Sequence, residues 1–210
     1  MHTLTENPIK SISKMIQNAI SKAMTYAEYR TLVAELAAIN SSTGNEQTEA
    51  LANYTQLNDR RMRRWDKTLK ISEALETTLK SSTKKTTWLV LTESWCGDAS
   101  PSLPVMNKLA ELLPNLDLKI VLRDENPELM DLFLTNGARS IPKLIALESG
   151  TNKVLGEWGP RSTLATKMVE SYKAEHGKLS PEFKQELQVW YNKDKGQDIL
   201  ADLVKLLTLE

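Results

Sequence analysis

Apolar residues recur at helical spacing through the first third of the chain. Ile9, Ile12, Ile16 and Ile20 follow Pro8 at intervals that place them on one face of a helix. Thr25 and Glu28 form a capping box, with Leu32, Val33 and Leu36 on the face behind it. Ser41 to Asn45 reads as a loop, with Asn45 as N-cap of the next helix. From Gln47 to Lys80 there is neither proline nor glycine. Leu51, Tyr54, Met62, Trp65, Leu69 and Leu79 lie near one stripe, which predicts one long helix or two nearly continuous ones.

The period changes at Ser81–Lys85. Thr87–Leu91 is a short β-rich apolar run, as expected of a strand buried on both faces. A helix over Pro101–Leu113, a strand over Leu116–Leu122 and a helix over Pro127–Asn136 closed by Gly137 come after it. Lys143–Leu147 and Val154–Trp158 read as a hairpin turning at Ser149–Asn152. Three more amphipathic helices complete the chain: one through Leu164, Met168 and Tyr172, one from Ser180–Pro181 to about Tyr191, and one through Ile199–Leu207. The order β-α-β-α-β-β-α predicts an α/β fold, a mixed sheet of about four strands flanked by helices, with helical additions at both ends. The expected division is an N-terminal helical extension (1–65), an α/β domain (66–172) and C-terminal helices packed on it (173–210).

Composition narrows the picture. The 27 basic and 27 acidic side chains cancel, so no bulk charge favours nucleic acid or an anionic membrane. Met1–Pro8 lacks a basic region followed by an apolar run, so no signal peptide is expected. A single cysteine among 210 residues excludes an internal disulfide and fits a reducing cytoplasm. His176 has no cysteine or histidine partner at metal-ligand spacing, and no cofactor is implied.

That cysteine stands in Glu93-Ser94-Trp95-Cys96-Gly97-Asp98-Ala99, which resembles the Ala-Glu-Trp-Cys-Gly-Pro-Cys stretch of thioredoxins. Asp124–Leu129 is similar to the segment that opens their middle helix, and Gly137–Pro142 resembles the approach to their cis-proline. Gly159 is similar to the glycine beside their active site. These matches occur in that family's order. The chain also resembles a thioredoxin-like group with a Trp-Cys-Gly-Asp-Ala site, a helical N-terminal extension and a Trp-Gly-Pro-Arg segment, here Trp158–Arg161. Three departures stand out: Ala99 replaces the resolving cysteine, Asp98 replaces the intervening proline, and Val90 occupies the place of a buried carboxylate.

The resemblance implies that Cys96 opens a helix, where the dipole favours thiolate by about 0.3–1 kcal/mol. Asp98 opposes this by competing for the same amides, and Glu93 adds to the opposition if it faces the sulfur. The expected thiol pKa is therefore near the unperturbed value of about 8.5. The resemblance also implies a site lined by Glu93, Trp95, Gly97, Asp98, Ala99, Ile141, Pro142, Arg123, Arg139 and Gly159. Arg60–Arg64 reads as a solvated helical face; alternatively it forms an anion pocket with Arg123, Arg139 or Arg161.

The resemblance supports two functions. In the first, Cys96 acts as a monothiol and forms mixed disulfides with a thiol-containing protein or a small thiol. In the second, the groove is kept as a binding module for a peptide or partner protein without turnover. A third arrangement has the helical additions covering the groove or forming a dimer interface; the sequence sets no oligomeric state.

Overall fold

The computed structural model describes residues 8–80 and 84–207, without the side chains of residues 8–11, 74, 78 and 80. The expected absence of a leader at Met1–Asn7, the side chain of Ile9 and most of the boundary at Ser81–Lys85 lie outside the described residues. Four strands, β1 (Thr86–Thr92), β2 (Leu116–Leu122), β3 (Lys143–Glu148) and β4 (Val154–Trp158), form one sheet in the order β2-β1-β3-β4. β1 runs parallel to β2, while β3 is antiparallel to both β1 and β4. In register, Thr86 stands beside Leu116 and Val90 beside Leu144.

The central strand has no solvent face. Trp88, Leu89, Val90 and Leu91 are all fully buried, each worth about 1.5–3 kcal/mol for an aliphatic side chain taken from water. The described helices are α1 (Pro8–Ser21), α2 (Tyr26–Ala38), α3 (Glu49–Thr68), α4 (Glu73–Lys80), α5 (Ala99–Leu112), α6 (Pro127–Leu132), α7 (Thr163–His176), α8 (Pro181–Asp194) and α9 (Gln197–Leu207), of which α1, α2, α5 and α9 pack directly on strands. One continuous core joins Ile16 and Val33 from the N-terminal helices to Leu89 and Ile145 of the sheet and Leu203 of α9. Between α1 and α2, Met24 exchanges two backbone hydrogen bonds with Ile120, at 2.8 and 2.9 Å. That bridge covers the free edge of β2, which would otherwise invite pairing with another chain.

The expected capping box at Thr25 is present. Thr25 Oγ1 accepts from the Glu28 amide at 3.3 Å, and Glu28 Oε2 accepts from the Thr25 amide at 2.7 Å. Two local expectations differ, and one open alternative is decided. Thr48, not Asn45, caps α3, its hydroxyl accepting from the Leu51 amide; Gln47 instead holds the preceding loop through the Ser42 and Gly44 carbonyls. The apolar stripe to Lys80 is two helices, because Leu69 leaves α3 extended and the Ser72 hydroxyl starts α4. Helix α6 stops at Leu132, short of Asn136. There Asn136 and Gly137 both adopt positive φ and close a tight turn bridging Thr135 to Ala138. Asn-Gly is turn chemistry, and here it outweighs the reading of Gly137 as a helix cap.

Candidate functional site

Cys96 lies in the turn between β1 and α5, its amide donating to the Glu93 carbonyl at 3.1 Å. The Ile141–Pro142 bond is cis and lies directly across from it. The thiol donates to the Ile141 carbonyl at 3.2 Å, so strand and turn meet through the sulfur. Behind Pro142, Gly159 adopts φ +118°, and a Cβ there would fall 2.1 Å from the Pro142 oxygen. Only glycine lets β4 end against that carbonyl. The chain then passes through a second cis bond, Gly159–Pro160, to Arg161, whose Nη2 is 2.6 Å from Asp98 Oδ2.

Asp98 was expected to compete for the amides at the start of α5. Instead its side chain makes no cap and turns to Arg161. Burial still raises its carboxyl above the usual range, against the pull of Arg161 and Arg61. The expected thiol pKa near 8.5 is also overturned: burial pushes Cys96 up to about 12. The negative charge of Asp98 adds to the rise, and the Ala99 and Asp98 amides and Arg161 offset only part of it. Desolvation of a buried thiol outweighs a helix dipole, and the sulfur's residue is only 6% exposed.

The turn is held from behind by a buried polar cluster. Ser94 Oγ accepts from the Thr43 amide at 2.9 Å and shares a 2.8 Å hydrogen bond with Thr55 Oγ1. The Ser94 amide donates to Thr43 Oγ1, and the Ser94 carbonyl accepts from Asn58 Nδ2. Thr55 and Asn58 belong to α3, so the N-terminal helices position the sulfur. The sequence reading missed this cluster, although Thr55, Asn58 and Asp59 interrupt the apolar face of α3 at helical spacing.

In front of the turn is a cavity of about 480 Å³. Trp95, Cys96, Gly97, Asp98, Ile141 and Arg161 form its floor. Leu51, Tyr54, Leu57 and Arg61 of α3 form one wall. Leu179 with Pro181, Lys184, Leu187 and Gln188 of α8 forms the other. Gln188 Nε2 donates to the Gly97 carbonyl at 3.3 Å, tying α8 to the turn.

Several residues expected to line the site face elsewhere. Glu93 is fully buried behind the turn, where its Oε1 accepts from the Asp124 amide at 2.9 Å. Arg123 pairs with Asp124 and lies 4.9 Å over the Trp95 ring, outside the cavity. Arg139 is held by two 2.6 Å hydrogen bonds to Asp131 at the surface. These arginines have carboxylates close in sequence or across a short turn, and local pairing takes them from the site. Ala99 is packed beneath the turn with no exposure. Within the basic run only Arg61 reaches the cavity; Arg63 pairs with Asp59, and Arg64 donates to Asn192.

This fold and turn match a known family. A family model described as thioredoxin matches residues 44–173, and the chain belongs to that thioredoxin-like family. Two solved structures share the fold at low identity. A protein of unknown function from Pseudomonas aeruginosa is 19% identical, with a TM-score of 0.54, covering 88% of this chain and 97% of its own. An HIV epitope scaffold is 17% identical, with a TM-score of 0.53, covering 88% of this chain and 98% of its own. Comparison with curated proteins finds no match. Among the described residues no helix is long and apolar enough to cross a membrane, and no group of acidic, cysteine and histidine side chains could hold a metal ion.

Proposed function

We propose that this is a thioredoxin-fold binding protein whose cavity takes a small molecule over a neutral Cys96 thiol. The observation that carries this reading is the sulfur's position, buried on the cavity floor and donating to the Ile141 carbonyl. Thioredoxin-like chemistry needs a thiolate. Burial, with the charge of Asp98 adding, pushes the Cys96 pKa up to about 12, so the neutral thiol dominates near neutral pH. The greater nucleophilicity of such a thiolate recovers only part of that loss, so exchange is slower than for an unperturbed thiol. Ala99 offers no second sulfur to release a mixed disulfide. Helices α3 and α8 wall the cavity on both sides of the turn, so the space suits a small ligand better than a strand. Its volume falls within the range of about 300–1,000 Å³ usual for such sites. A single free thiol fits a reducing, cytoplasmic setting.

A second reading, monothiol exchange with a small thiol or a thiol-bearing protein, is favoured by the backbone amides of Ala99 and Asp98, which lower the thiol pKa against the effect of burial. Incubation of the full chain with glutathione disulfide near neutral pH separates the two by intact mass. The binding reading expects modification slower than for a free cysteine. Rapid formation of a glutathione adduct, lost in Cys96→Ser, would overturn it.

A further inference from the structure

Most of the arginines near the turn are already neutralised. Arg30 and Arg63 pair with Asp59, Arg123 with Asp124, Arg139 with Asp131 and Arg161 with Asp98. Arg61 is different. It is half-buried in the cavity wall, and its one hydrogen bond is to the neutral Asn58 Oδ1 at 3.2 Å. Among the described residues no carboxylate lies within ion-pair distance of it. Its Nη1 would be 3.9 Å from a Cβ built on Gly97, so the guanidinium hangs over the face of the turn that carries Cys96. A half-buried guanidinium with no carboxylate at ion-pair distance, facing a cavity, is suited to a planar anion that it can bind through two hydrogen bonds.

The rest of the wall indicates the ligand's shape. Leu57, Tyr54 and Leu51 continue from Arg61 toward the start of α3. At 1.5 Å per residue, Leu51 lies about 15 Å along the helix from Arg61. Leu179 and Leu187 face this stripe from the opposite wall. The cavity is thus elongated, with Leu51, Leu57, Leu179 and Leu187 as an apolar stripe along it, Lys184 and Gln185 on the α8 side and Arg61 at the sulfur end. The carboxylate of Asp98, also at that end, opposes a second negative charge and so disfavours a phosphate dianion.

On the reading of the cavity as a ligand site, we propose that its ligand is a small monocarboxylic acid with a linear apolar body. Arg61 holds the carboxylate, and Leu51, Tyr54 and Leu57 cover the chain. Cys96 then lies beside the carboxylate as a neutral hydrogen-bonding wall and needs no chemistry of its own.

Isothermal titration of the full chain with decanoate, below its micelle-forming concentration, tests this against 1-decanol and inorganic phosphate. Decanoate is expected to bind at one site and phosphate not to compete. Arg61→Gln should weaken decanoate by about ten- to a hundredfold, the loss of one charge-assisted interaction, and leave 1-decanol unchanged. The variant's melting temperature, compared with the wild type, confirms that it folds. Equal binding of decanoate and 1-decanol, or decanoate binding indifferent to Arg61→Gln, overturns the carboxylate assignment and leaves the cavity reading standing. Competition by phosphate also overturns it. Failure of both decanoate and 1-decanol to bind overturns the cavity reading and this assignment with it.

Discussion

The two sides of the Cys96 turn are built to opposite rules. Behind it, Ser94, Thr43, Thr55 and Asn58 hydrogen-bond to one another in a buried network, and Asn58 Oδ1 alone reaches forward to accept from Arg61. In front of it, among the described residues, the Arg61 guanidinium has no carboxylate within ion-pair distance, and the thiol donates to the Ile141 carbonyl. A fully paired polar cluster fixes a single backbone geometry. Polar groups left without charged partners beside an apolar cavity mark where a ligand supplies the missing interactions. The comparison teaches that in this chain the reused turn keeps its scaffold role at the rear, while its front is rebuilt by helices from outside the sheet.

The largest effect is expected where both sides depend on one contact. Gly159→Ala places a methyl group against the Pro142 carbonyl at an unfavourable positive φ. It should cost at least about 3 kcal/mol and lower the melting temperature by roughly 10 °C. A variant that melts with the wild type would mean that β4 does not fix the Ile141 side of the cavity. Next, Ser94→Ala strands the hydroxyl partners at Thr55 and Thr43, with an expected loss of about 2 kcal/mol in urea unfolding. Decanoate affinity of the folded fraction should hold; a large loss of affinity with unchanged stability would reverse the assignment of the two sides.

The smallest effect is a pH dependence. Burial raises the folded Glu93 carboxyl above its ordinary value of 4.5, with the Asp124 amide and Thr43 opposing the rise. The folded state therefore holds this proton more tightly than the unfolded chain. The associated stability is full below the unfolded value and is lost as pH rises through the folded one. Urea unfolding across that window should show the wild type losing stability relative to Glu93→Gln. A difference between them that does not vary with pH would count against a buried, titrating Glu93.

Much of this architecture is legible locally. The unbroken apolar run at Trp88–Leu91 announces a doubly buried strand, and the Ser149–Asn152 turn announces the β3–β4 hairpin. The thioredoxin-like motifs place Cys96 opposite Pro142, as the structure has them. Other features escape because they depend on distant parts of the chain. The thiol's protonation follows from burial to which α8 contributes, and α8 begins at Pro181. Asp98, two residues away, adds to the rise, but the burial itself comes from distant elements. The choice of Arg61 over Arg60, Arg63 and Arg64 depends on how α3 is rotated against the turn. The spacing of Leu51, Tyr54, Asn58 and Arg61 carries that phase, had the polar interruptions been read as part of the face. Arg123 and Arg139 mislead because their charge types suit a site, whereas adjacent aspartates already satisfy them.

The proposed binding role requires Cys96 to be a neutral thiol where the fold normally carries a reactive one. Thiolate absorbance of the folded protein, followed against pH with Cys96→Ser as the blank, tests that directly. The expected trace shows no ionisation step through the ordinary thiol range of about 8–9 and only the foot of a rise toward about 12. A completed step at or below about 8.5 would contradict it and return the site to thiol–disulfide chemistry.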